Sequence, residues 1–240
     1  MTDFDARLRA IAHAQDRRTL WHATLDALHA EGATRVSYHA TGPDLRDVHV
    51  LADGFPPDWV NEYVAQNFVK IDPIPELAAR LAEPFFWHDV RELLIPTEAQ
   101  NTFLDALERA KLGDGLAFYV FGPGLRNAYV GVGFDVERLE LSRDVIARLQ
   151  TLAQSAHLRF CALEPLEGDP SLSEREREVL SWVARGKSNS VIGSILEISP
   201  HTVDAHMRSI YRKLDVNDRT TAAIRGLGVG LLQYPDPVPT

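Results

Sequence analysis

Two periodicities alternate along the first 170 residues. "RTLWHATLDALHAEG" sets Leu20, Trp21, Leu25 and Leu28 at helical spacing, and "LSRDVIARLQTLAQSAHLRF" repeats apolar residues every three or four positions, so both read as amphipathic helices. Between them, "TRVSYHAT", "RDVHVLAD", "PFFWHD", "LAFYVFG" and "NAYVGVGF" are short and rich in β-branched and aromatic residues, which predicts strands. The last two flank "GPGLR", a turn signal that makes that pair antiparallel. Helices, a run of strands with a helical insertion, and a closing helix predict an α+β fold. It is an α/β/α sandwich around an antiparallel sheet rather than a doubly wound parallel one.

Beyond "EPLEGDPS" the pattern is wholly helical and parses into four short helices. Ser173 and Glu176 form a capping box, and Gly186 stands where a left-handed stop belongs. Ser188 caps a second helix through Leu196, "EIS" makes the turn, and Ser199 caps a third helix with Pro200 in its first position. On that helix Val203, Met207, Ile210 and Leu214 form a narrow apolar stripe. His201, Ala205, Arg208 and Arg212 lie opposite, with Asp204, Ser209 and Lys213 at the flanks. Two short helices, a tight turn and a small, polar and basic outer face make a helix-turn-helix layout that fits a major groove. The expected organisation is a domain over 1–163, a linker over 164–171, a four-helix all-α domain over 172–233 and a disordered tail over 234–240, "YPDPVPT".

Composition narrows the function. The chain has 240 residues, 45% of them apolar, enough for two folded domains. It has no apolar run of about 18 residues and no basic-then-apolar amino terminus, so a cytoplasmic protein without a membrane partner is expected. The single Cys161 excludes an intrachain disulfide and a cysteine-based zinc site. Net charge is -9, yet from Ser171 onward nine basic residues face eight acidic ones, so the acidity belongs to the first part of the chain. An acidic body with a near-neutral helical module is compatible with an appended DNA reader. Catalysis by Asp72 or His88 is the enzyme alternative, but no nucleophile elbow, no H-E-x-x-H and no phosphate-binding glycine loop accompanies them. His201 and His206 diverge around their helix too far to share a metal. Neither a metal nor a cofactor is expected.

"LSEREREVL", "GKSNSVIGSIL" and "ISPHTV", with the later "IYRKL" and "RT", resemble the LuxR-type helix-turn-helix. The resemblance implies that 200–214 is the recognition helix and that Glu176, Leu180 and Gly186 are framework. Thr202, Val203, His206 and Lys213 match signature positions. It further implies base contacts from Asp204, Ala205 and Arg208, phosphate contacts from Arg212, Lys213 and Lys187, and a DNA-side role for Thr202. Asp204 departs from the basic or amide residue common in the family; an acid accepts from cytosine N4 but repels phosphate.

The stretch "GFPPDWVNEYVAQNFVKIDPIP" raises a second question, since Asp72 before Pro73 is an ordinary helix cap and Trp59 and Tyr63, one turn apart, are ordinary core. Their spacing, with Trp87 and Gly115, also resembles the acyl-homoserine lactone receptor domain of the LuxR family. That resemblance implies an N-acyl-homoserine lactone as signal ligand, whose amide N–H is donated to Asp72, with Trp59 reaching the lactone carbonyl, Tyr63 forming a wall and Trp87 lying on the ring. A buried carboxylate is costly without a donor, so the chemistry is coherent. Phe55 stands where a tyrosine can meet the amide carbonyl, Ile74 replaces a hydroxyl residue, and Gly131 and Gly133 are expected to clear volume beneath the sheet, with Tyr38 pointing into the same space. An apolar, bulky, branched or aromatic acyl group follows. The implied partners are a homodimer, an inverted-repeat operator in double-stranded DNA and RNA polymerase. The implied function is a quorum-sensing transcriptional regulator, the alternative being a ligand-independent or non-lactone-sensing regulator of the same family.

Overall fold

The computed structural model describes residues 2–41, 48–81, 83–164, 172–228 and 230–232. The expected linker beyond Glu164 and the expected tail lie outside these residues. The chain divides into two compact units; the first comprises residues 1–41, 48–122 and 127–164, and the second includes 172–232.

The first unit begins with α1 (Asp3–His13) and α2 (Arg17–His29), capped by Thr2 and Asp16. Five strands follow: β1 (Arg35–Thr41), β2 (Val48–Asp53), β3 (Phe85–Phe86), β4 (Asp114–Val120) and β5 (Ala128–Phe134). Their order is β2-β1-β5-β4-β3, with every neighbouring pair antiparallel. Between β2 and β4 run α3 (Pro57–Ala65), α4 (Pro73–Arg80), the short α5 (Val90–Leu93) and α6 (Glu98–Arg109); α7 (Arg143–Leu163) closes the unit.

Period-two alternation sends each strand's side chains to two different layers. Val36, Tyr38, Ala40, Leu116, Phe118, Val120, Val130 and Val132 join the core under α1, α2 and α7. Ala117 and Tyr129 instead join the aromatic cluster of Trp59, Phe68, Phe85 and Phe103 beneath α3, α4 and α6. This is the α/β/α sandwich that the periodicity predicts. The segment "PFFWHD" departs from expectation: only Phe85 and Phe86 pair with β4, and Trp87–Asp89 turn into a single 3-10 turn. The cause is Asp114, whose carboxylate accepts from the His88 backbone N–H at 3.2 Å and contacts the His88 ring, drawing the chain out of the ladder.

The second unit consists of α8 (Glu174–Ala184), α9 (Asn189–Leu196), α10 (Pro200–Leu214) and α11 (Arg219–Gly228). The Ser173–Glu176 capping box, the Ser188 and Ser199 caps and the positive φ of Gly186 are all present. Val203, Met207, Ile210 and Leu214 are buried with Val179, Leu180, Val183 and Ile192 in its core.

Candidate functional site

A hollow of about 150 Å³ lies between the sheet and the α3, α4 and α6 layer. Phe55, Trp59, Tyr63, Asp72, Ile74 and Trp87, all singled out in the sequence, line it together. Asp72 is the cap of α4: its Oδ1 accepts from the Ile74 N–H at 2.9 Å. Its Oδ2 accepts from the Tyr63 hydroxyl at 3.1 Å. The two readings of Asp72 are therefore compatible, since one oxygen caps the start of α4 while the carboxylate also lines a cavity. Burial pushes its pKa up to about 7, against the lowering influence of those two donors. Burial also raises the Tyr63 phenol, and the Asp72 charge adds to that shift.

Two other expectations need correction. Tyr38 does not enter this hollow. As an even-numbered position of β1 it faces the opposite layer, where its hydroxyl lies 2.7 Å from His157 Nδ1 and it lines a separate cavity of about 440 Å³ with Trp21 and Phe160. Gly133 is on the expected face but clears no ligand space: a Cβ there would stand 3.0 Å from the Trp87 ring. At Gly115 the corresponding distance is 2.5 Å, and at Gly131 a Cβ would stand 2.3 Å from the Tyr129 hydroxyl. The glycines seat two aromatic side chains. Because rigid ring atoms oppose Cβ at 115, Gly115→Ala is expected to destabilise the ligand-free protein by about 1–3 kcal/mol. Gly133→Ala should cost less. Urea unfolding of the two variants checks this order, and equal stability would show that Trp87 is not seated as described.

Sequence reading missed Ser37, His39, Phe103 and Tyr129, which also line the hollow. Tyr129 is buried, and burial drives its phenol upward, while the Ser37 hydroxyl and the Trp87 indole beside it oppose the shift. The Trp87 Nε1–H is itself buried and has no partner of hydrogen-bonding geometry. His39 packs its edge against Tyr129, and burial lowers its pKa to about 4, so it is neutral. The hollow is thus an aromatic cup with an acid on the helix side and hydroxyl and indole donors on the sheet side.

In the second unit, α10 presents His201, Thr202, Asp204, Ala205, Arg208 and Arg212 to solvent, and Lys187 is exposed just before α9. Asp204 braces the face, accepting from Asn189 Nδ2 at 3.3 Å with Arg208 3.8 Å away. Arg219 of α11 donates to Asn189 Oδ1 at 2.8 Å, a support that the sequence did not disclose. The Thr202 hydroxyl lies 2.8 Å from Ser199 Oγ within the cap. Lys213, expected to meet phosphate, also has a partner within the fold. Its ammonium lies 2.7 Å from Glu176 Oε2, the carboxylate is nearly inaccessible, and the lysine side chain remains partly exposed at the edge of the fold. Burial would raise Glu176, but Lys213, the Ser209 hydroxyl and the Ser173 backbone and hydroxyl donors outweigh it, bringing the carboxyl to about 2.

An aromatic cup joined in one chain to a helix-turn-helix module is the construction of a signal-controlled transcription regulator. Residues 16–160 match the autoinducer binding domain, and residues 170–225 match the bacterial regulatory proteins of the luxR family. The chain belongs to the LuxR family of quorum-sensing transcription regulators. It is 32% identical over 186 residues to the quorum sensing-dependent transcriptional regulator RpaR of Rhodopseudomonas palustris, covering 76% of this chain and 75% of that one. It is also 32% identical over 182 residues to the putative regulator y4qH of Sinorhizobium fredii, covering 75% of this chain but only 56% of the relative. The crystal structure of Escherichia coli SdiA shares the fold with a TM-score of 0.74 at 22% identity, over 96% of this chain and 98% of SdiA. RpaR and y4qH are both named as transcriptional regulators, and the chain is one rather than an enzyme. Among the described residues no helix is long and apolar enough to cross a membrane.

Proposed function

We propose that this regulator takes an N-acyl-homoserine lactone in the hollow beside Asp72 and, as a cytoplasmic homodimer, reads an inverted-repeat operator from which it acts on RNA polymerase. The observation that supports the ligand class most directly is a carboxyl group buried in a cup of aromatic side chains, where burial raises its pKa. Such a group gains most from a neutral molecule that brings its own N–H. Trp59 and Trp87 form the walls on which the lactone ring rests. About 150 Å³ admits a guest of benzene size, so an acyl group enters with outward movement of α3, whose Val60 and Val64 stand at the rim. Binding to the native state alone stabilises it by mass action, which makes folding and signal reception one event. The test is to express the protein with a panel of N-acyl-homoserine lactones and identify the molecule that copurifies by mass spectrometry. A lactone recovered at one per chain is the expected result. Soluble protein that carries none and gains no stability from any of them would favour the ligand-independent alternative.

For DNA, the proposed base contacts are Asp204, Ala205 and Arg208, with Arg212 and Lys187 on phosphates and Thr202 at the helix start. Arg208→Ala is expected to reduce preference for a selected site over random duplex by about tenfold or more. Competition binding on DNA selected from a random pool measures it. An equal loss on selected and random DNA would make Arg208 a phosphate contact.

A further inference from the structure

An amide buried in a pocket must have both its N–H and its carbonyl satisfied, because an unpaired polar group in a dry site loses about 1–3 kcal/mol. Asp72 answers for the N–H. Phe55, which lines the hollow where a tyrosine would serve the carbonyl, has no donor. The remaining donors stand on the sheet side. The Tyr129 hydroxyl reaches back over Gly131, where a Cβ would lie 2.3 Å from it and 2.7 Å from Ser37 Oγ. Trp87 Nε1–H is buried beside the Tyr129 phenol and meets no acceptor in full hydrogen-bonding geometry. Both Tyr129 and Trp87 line the same cavity as Asp72.

We infer that Tyr129, oriented by Ser37 and joined by the Trp87 indole N–H, is the receptor for the ligand's acyl carbonyl in this chain, and that Gly131 is needed to admit the phenol. The inference rests on the lactone reading of the hollow. It relocates the carbonyl contact from the α3 side to β5. With Asp72 as acceptor on the helix side and Tyr129 as donor on the sheet side, the two ends of one trans amide can be held from opposite sides of the cup. It also predicts that Tyr129 limits the space beyond the carbonyl, so that the acyl group turns towards the rim at Val60 and Val64.

The test uses the full chain and two probes, N-hexanoyl-homoserine lactone and its thioamide, which keeps the N–H but carries a much poorer acceptor. Tyr129→Phe is expected to weaken binding of the amide by about tenfold while changing thioamide binding less than about threefold. Asp72→Asn should weaken both. Tyr129→Phe keeps the ring, and if it nevertheless fails to fold, Ser37→Ala, which removes only the orienting hydroxyl, carries the same comparison with a smaller expected loss. Equal affinity of wild type and Tyr129→Phe for the amide, or an equal loss for both probes, overturns the inference while leaving the lactone reading intact. Wild-type protein that binds neither these probes nor any lactone of the panel overturns the lactone reading itself.

Discussion

Asp72→Asn is expected to weaken lactone binding by about ten- to hundredfold, the range for a buried hydrogen bond to a charged group. Helix α4 should survive, because asparagine caps as well as aspartate and still accepts from the Ile74 N–H. The same change is expected to stabilise the ligand-free protein above neutral pH. The carboxyl stands at about 7 in the fold against 3.8 for an ordinary aspartate. A folded value above the unfolded one means that the native state holds the proton more tightly, so the associated stability is fully present below about pH 4 and is lost as pH rises through about 7. At most about 4 kcal/mol is at stake. A ligand N–H offsets that loss by favouring the ionised form. Lactone affinity should therefore rise with pH, by up to about tenfold per unit below 7, and level off above. Titration calorimetry across this range, with urea unfolding of wild type and variant, measures both effects. An affinity that is flat with pH and unchanged in Asp72→Asn would remove Asp72 from the site.

Lys213→Ala should destabilise the second unit as well as weaken its hold on DNA. The lysine neutralises Glu176, which is almost completely buried and also accepts from the Ser173 N–H at 2.6 Å. Removing one partner of a buried pair leaves an uncompensated charge and costs about 3 kcal/mol or more. Much of that should return when Glu176→Gln accompanies it, since the orphaned charge is then gone. The pH dependence has the opposite sign from that of Asp72. Glu176 is held at about 2, below its ordinary 4.5, so its stabilisation is present above about pH 4.5 and is lost as pH falls towards 2. Denaturation of the full chain, followed through the lower-stability transition, checks the order of the single and double variants. Should Lys213→Ala retain wild-type stability and only reduce the salt dependence of DNA binding by about one counterion, the lysine is a phosphate contact alone.

Legibility differed between the two halves for physical reasons. The reader was almost wholly visible because its determinants are local: Ser173 with Glu176, Ser188, and Ser199 with Pro200 fix helix starts within one turn, and the stripe from Val203 to Leu214 fixes the buried face. What escaped was lateral. Nothing near Lys213 in sequence announces Glu176, 37 positions away. The sandwich was legible from the switch between helical and alternating periodicity, but alternation states only that Tyr38 and Ser37 face opposite ways, not which of them meets α3 and which α7. The register that sets Ser37 opposite Gly131 resolves that ambiguity, and it depends on pairing across 94 residues. Tyr129 had a readable signal: it has the same parity as Gly131 and Gly133, so whatever face they share, it shares. "PFFWHD" misled because its strand propensity is real, yet the Asp114 carboxylate captures the His88 N–H.

The most direct measurement is a crystal structure of the full chain grown with N-hexanoyl-homoserine lactone. The expected density places the lactone between Trp59 and Trp87, its amide nitrogen within about 3 Å of an Asp72 carboxylate oxygen. Ligand found instead beside Tyr38 and His157 on the opposite face of the sheet, or Asp72 bonded only to Tyr63 and Ile74 with the hollow closed, would contradict the account.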